Sequence, residues 1–183
     1  MGATLVTTSA CGSTNLVPDS LSSAISDQVQ SVTKELIPDD AMFLAMMIPH
    51  HEQAVEISKL AATNGASPEV KKLASTIAAA QAPEITQMQG LLEAAGALGE
   101  IGKHTGHMDG LLSEEQINEI RNARGADFDR LYLESMIAHH EGAIAMAQNV
   151  IDSGGNAVVV TLAQSVIDAQ TSEISQIKKL LGQ

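Results

Sequence analysis

Asp129-Arg-Leu-Tyr-Leu-Glu-Ser-Met-Ile-Ala-His-His-Glu-Gly-Ala-Ile-Ala-Met-Ala147 is the stretch whose reading decides the fold. It reads as one helix: it has no Pro and one Gly, and apolar residues recur three and four apart. At roughly 100° per residue, Asp129, Tyr132, Met136, His139, His140, Ala143 and Met146 fall within about 140° of one another. Met136 stands near the middle of that face with a histidine on either side. Imidazoles on a face that is due for burial need partners. Two explanations stand side by side: a soft-metal site, with copper the first choice, or core histidines satisfied by hydrogen bonds.

The stretch has a twin. Sliding the chain by 89 positions lays Met47-Ile48-Pro49-His50-His51-Glu52 on Met136-Ile137-Ala138-His139-His140-Glu141. The match continues without a gap through Gly65/Gly154, Gln81/Gln170, Glu84/Glu173 and Leu91-Leu92/Leu180-Leu181, and about a third of some fifty positions are identical. Each copy is a helical hairpin with one apolar stripe that cannot be buried alone. Two such hairpins face to face make a four-helix bundle with pseudo-twofold symmetry, and a ferritin-like arrangement is the expected one. The fold class is therefore all-α, with a long crossover that carries a short extra helix.

Local signals fill in the rest. Pro38-Asp39-Asp40 opens the first strong helix, expected over about 39–63 with a kink at Pro49 and a cap at Asn64-Gly65. Ser67-Pro68 opens the second, which runs to about Ala95 with Pro83 inside it. Ser113-Glu-Glu-Gln116 is a capping box for a short helix to about Ala123, ended by Gly125. Asn156 caps a last helix to about Leu181. Repeat one then occupies 38–95, the crossover 96–126 and repeat two 127–183, all in a single domain 38–183.

Ahead of that domain, residues 12–37 are a Ser/Thr/Gln-rich tether in which Leu21, Ile25, Val29, Val32 and Leu36 allow a weak helix. Residues 1–11 are a small-residue, apolar run that ends at Cys11 and resembles the end of a bacterial lipoprotein signal peptide. Thr8 stands where that pattern prefers Leu, and no basic residue precedes the run. On this reading Cys11 is lipidated and is the chain's only attachment to a membrane. The expected location is then outside the cytoplasm, in the periplasm or on the outer face of the cell membrane.

Composition narrows the classes. In 183 residues there is no Trp, one Tyr, two Phe and one Cys, which suits helices packed through small side chains rather than a β-sandwich. A single Cys excludes an intrachain disulfide and a Cys-based zinc or iron–sulfur site. The formal charge of −12 argues against nucleic acid as a partner.

The repeat also filters the chemistry, because few polar residues are shared by both copies: Asp40/Asp129, His50/His139, His51/His140, Glu52/Glu141, Gln81/Gln170, Glu84/Glu173 and Gln87/Gln176. Glu84 and Glu173 each sit in the middle of an apolar stripe and need partners there. The histidine pairs on the neighbouring helices offer them. A carboxylate behind an imidazole fixes its tautomer and frees the other nitrogen for a metal. Asp40 and Asp129 are expected in the same supporting role.

Methionines beside those histidines favour Cu(I), with Ag(I) as its chemical mimic. Met42 and Met46 lie at the edge of the first copy's face, and Met88 projects from the partner helix. Because adjacent histidines point about 100° apart, separate sites or a shallow cluster are expected rather than one metal held by both. His104, His107 and Met108, in a Gly-rich loop, are candidates for an additional capture site. No Glu-x-x-His pair, His-Glu-x-x-His zinc motif, phosphate loop or nucleophile elbow occurs. An enzyme is not expected.

The doubled Met-Ile-x-His-His motif, with Gly125-Ala-Asp-Phe-Asp129 before its second copy and Gln-x-x-Glu-Ile downstream, resembles a duplicated His/Met-rich bacterial family of unknown function that includes CopM-like copper-binding proteins. The resemblance covers about Asp39 to Leu181. It implies a ferritin-like bundle, export, frequent lipidation, and copper binding for sequestration, resistance or trafficking. Carried over residue by residue, the implied ligands are Met47, His50, His51, Met136, His139, His140 and Met146, with Met46 as a substitute where Ile57 replaces the twin of Met146. The alternatives are a structural or partner-binding lipoprotein, and, more remotely, a ferritin-type redox enzyme. No protein partner is indicated.

Overall fold

The computed structural model describes residues 36–64, 67–103 and 108–183. The expectations for Cys11, for the tether up to residue 35, for Gly65 and for His104 and His107 lie outside those residues.

Five α-helices are described: α1 Pro38–Leu60, α2 Pro68–Ala94, α3 Glu114–Asn122, α4 Gly125–Asp152 and α5 Ala157–Leu180, with a 3-10 turn at Leu98–Glu100. The capping signals act as their chemistry requires. The Ser67 hydroxyl accepts from the Val70 amide at 3.2 Å, and the Asn156 side chain accepts from the Val158 amide at 2.9 Å. Ser113 and Gln116 form the reciprocal box that opens α3. Helix α1 runs unbroken through Pro49 and α2 through Pro83. Gly125 departs from expectation. With φ +56° it begins α4 instead of ending α3, and its amide donates to the Asn64 carbonyl at 2.9 Å.

Helices α1 and α2 form one hairpin, α4 and α5 the other, and α1 packs against α4. The fold is an all-α bundle of four long helices, with α3 in the crossover. Two aspartates lock the hairpins together. The Asp40 carboxylate, near the start of α1, accepts from the Asn156 amide at the start of α5 (3.0 Å to each oxygen). The Asp129 carboxylate, near the start of α4, accepts from the Ser67 amide at the start of α2 (3.0 and 3.2 Å). Each acid thus sits at the positive end of a helix in the opposite hairpin, where charge and dipole agree. The reciprocity also shows that α1 and α4 run antiparallel.

The core divides into two apolar clusters. One holds Ile57, Ile77, Phe128, Tyr132, Met136 and Ile177; the other holds Phe43, Leu44, Met47, Met88, Ala147 and Val166. Between the two lies a layer of histidines. No helix among the described residues is long and apolar enough to cross a membrane.

Candidate metal centre

Adjacent residues on a helix point about 100° apart, and the bundle uses that angle twice. His50 on α1 and His139 on α4 turn toward each other across the helix interface, with ring centroids 3.8 Å apart and planes tilted by 40°. His51 and His140 turn the other way, each toward the second helix of its own hairpin. His51 Nε2 lies 2.8 Å from Glu84 Oε2, and His140 Nε2 lies 2.7 Å from Glu173 Oε2. All four histidines are fully buried. The two glutamate pairings are the ones the repeat led us to expect.

The proton inventory is unusual. An imidazole that donates from Nε2 to a carboxylate keeps its lone pair on Nδ1. His51 and His140 therefore present unpaired Nδ1 atoms inside the bundle. His50 Nε2 donates to the Asp109 carbonyl at 3.3 Å, and its Nδ1 is likewise unpaired. His139 has no hydrogen-bond partner at either nitrogen. The amides of Gln81 and Gln170 are buried with both polar atoms unpartnered. Every orphaned buried side-chain nitrogen or oxygen among the described residues thus belongs to a His or Gln that the repeat shares. Buried polar groups are normally paired, so this concentration asks for an explanation. The two glutamines were visible in the repeat but drew no role, because a Gln in a helical stripe carries no chemical signature of its own.

Electrostatics keep the central pair neutral. Burial, and then the neighbouring His51, push His50 down to about 3, opposed by its bond to the Asp109 carbonyl. Burial, and then His50, His140 and His51, hold His139 well below its ordinary 6.5, opposed by the nearby His50 carbonyl. Neutral imidazoles carry the lone pairs that a metal needs.

Met47 and Met136 are fully buried one turn ahead of the histidines, one in each apolar cluster. Met146 and Met46 are half-buried. They line a cleft nearer the α1 N-terminus, together with Met42. Asp40 and Asp129 are corrected: they cap helices about 15 Å along the axis from the histidines rather than supporting them.

Residues 108–112 of the crossover form a strap over the layer. The Gln53 amide grips Leu112 by both its carbonyl (3.0 Å) and its amide (2.8 Å), and Met108 is buried beside Asp109. Gly142 is the repeat partner of Gln53. A Cβ there would collide with the Asp109 carbonyl oxygen, and one on Gly110 (φ +76°) would meet the Ala138 carbonyl. One copy therefore holds the strap and the other makes room for it. Among the described residues no three His, Cys, Asp or Glu side chains converge as a ready-made ligand set.

Three comparisons bear on this geometry. A family model described as "Domain of unknown function (DUF305)" matches residues 40–181. A DUF305 protein of Streptomyces coelicolor, described as secreted, is 29% identical with TM-score 0.73 over 79% of this chain and 92% of that one. CopM in its Cu(I)-bound form is 29% identical with TM-score 0.63 over 77% of this chain and 94% of that one; the same protein is known in Cu(II)- and Ag-bound forms. "Uncharacterized protein L153" of Acanthamoeba polyphaga mimivirus is 34% identical over 65 residues, 36% of this chain and 43% of that one, so this chain spans less than half of its length.

Proposed function

From the premise that this chain belongs to the DUF305 family, we propose that it is an exported, non-enzymatic metal-binding protein whose cargo is copper, taken as Cu(I) for sequestration, resistance or trafficking. The observation that carries this is His139: a fully buried, neutral imidazole with two unpartnered nitrogens against the face of His50. Glutamate partners account for His51 and His140 as structural groups, but they leave His139 unexplained. The metal-bound forms of CopM, a structure of similar fold, support the choice of copper. A Cu(I) ion seated here draws on imidazole nitrogens of the layer and on the thioethers of Met47 and Met136, a nitrogen–sulfur set suited to it. Ligands from α1 and α4 would tie the two hairpins together, so metal would strengthen the bundle. Export rests on the Cys11 context and, by likeness, on the Streptomyces protein's description as secreted.

The test is a Cu(I) competition titration of the tag-free protein under reducing conditions, beside His139→Ala and Met136→Ala. We expect the protein to take Cu(I) from a chelator of moderate affinity and both variants to lose most of that capacity. Failure of the unmodified protein to compete sinks the proposal. Elemental analysis of the native protein separates copper from iron, the signature of a ferritin-type redox enzyme.

A further inference from the structure

Nearer the α1 N-terminus, three methionines line one cleft whose lining includes no histidine. A cleft of about 180 Å³ opens between the first turns of α1 and the last turns of α4, lined by Met42, Met46, Met146, Asp39, Phe43 and Val150 among others. Met42 is 43% exposed, while Met46 and Met146 are half-buried, so sulfur is reachable from solvent without opening the bundle.

The repeat supplies a control for the bland explanation. Met is a good gap-filler, and a lone Met in a helix needs no further reason. The pseudo-twofold axis, however, builds a second place of the same backbone make-up at the other end of the α1–α4 interface. There the equivalents of Met42, Met46 and Met146 are Leu131, Ser135 and Ile57. None of those three equivalent positions carries sulfur. Three of the chain's eight methionines gather at one end and none of them has a twin.

We propose that this cleft is a thioether-only site for a soft monovalent cation, Cu(I) or Ag(I), separate from the histidine layer. Thioethers are neutral, soft and carry no proton to displace, so they select such ions over Zn(II) or Mg(II). Asp39 at the rim and the formal charge of −12 draw cations toward it. Met46 is one turn ahead of His50, and the buried Met47 follows it, so the cleft stands at the outer end of a line of donors leading inward. It serves as the loading position. The inference rests on the soft-metal reading above for its cargo but not for its ligands.

The test uses the full chain labelled with 13C at its methionine methyls and titrated with Ag(I) in chloride-free buffer. The methyl signals of Met42, Met46 and Met146 are expected to move together as one equivalent loads, and to ignore Zn(II). A Met42→Leu, Met46→Leu, Met146→Leu variant keeps the apolar volume and should bind one equivalent fewer. A His50→Gln, His139→Gln variant should retain the three shifts, which keeps the two sites distinguishable. Unmoved methyls with intact histidine-dependent Cu(I) binding overturn the cleft alone. Moving methyls without any histidine-dependent binding uphold the cleft and overturn the buried site. Should the triple variant not fold, the shifts in the unmodified chain decide by themselves.

Discussion

A buried imidazole without a well-formed hydrogen bond gives up its hydration for little in return, and His139 is in that position, with only the nearby His50 carbonyl to offset it. Replacing it with Leu removes an unsatisfied donor of similar volume. We therefore expect His139→Leu to leave the metal-free protein as stable as before, or more stable by up to about 1–3 kcal/mol, while copper binding is lost. Urea denaturation with and without Cu(I) checks both halves; a purely structural histidine would instead show destabilisation. Protonation gives a second handle. In the folded protein His50 is held at about 3 and His139 well below 6.5, whereas in the unfolded chain both return to about 6.5. Between those limits the unfolded chain binds more protons, so stability rises with pH across that window. The contribution is fully present above 6.5 and is lost as pH falls toward 3. Urea midpoints of the metal-free protein should fall steadily from pH 7 to pH 4, and the slope should flatten in His50→Gln, His139→Gln. At this scale the histidines and their glutamates were legible, because only one helix in each hairpin could offer Glu84 and Glu173 a partner. The choice of which histidine turns to the glutamate and which to its twin was not, since neighbours on one helix differ only by the rotation of that helix.

Elements meet this protein's needs in ways that single residues do not disclose. The repeat marks Asp40 and Asp129 as shared, which suggests a supporting role behind the histidines. Each instead accepts the amide that opens the opposite hairpin's second helix, a bond between residues 116 or 62 positions apart. Gly155 makes the first of these contacts feasible, because a Cβ there would strike the Asp40 carboxylate. The strap 108–112 is similar. Its sequence is merely Gly-rich, yet Gly142 and Gly110 let two backbones touch, and Gln53 completes the edge that Leu112 leaves open. Gly142→Ala should push the strap off α4, at a cost of about 1–3 kcal/mol by the overpacking rule. Hydrogen exchange should then quicken at Leu112 and change little in α2 and α5; uniform protection throughout would contradict the contact.

For the whole molecule, the duplication sets the energetics. Each hairpin buries its stripe against the other, and an aspartate of each accepts the amide that opens the other's second helix. A fragment of residues 38–95 is therefore expected to be largely unfolded when dilute and to gain helix only as it self-associates. Circular dichroism across a concentration series measures this, and a fully helical monomer would refute it. The symmetry is also broken at particular positions. Gln53 has Gly142 as its repeat partner, Tyr132 with its hydroxyl on Ser58 (2.8 Å) has Phe43, and Met42, Met46 and Met146 have Leu131, Ser135 and Ile57.

The sequence by itself determined the helices, the local caps at Ser67, Ser113 and Asn156, the pairing into hairpins and the all-α bundle. Those follow from a 3.6-residue period and a linear repeat, both of which are written along the chain. Only the tertiary structure decided that His50 meets His139 across the helix interface, that both aspartates cap across the bundle, that the strap seats on Gly142, and that Met146 lines a cleft with Met42 and Met46. Each of these depends on how far a helix turns about its own axis and where it crosses its neighbour. Side-chain packing between distant segments sets those quantities, and no local pattern records them.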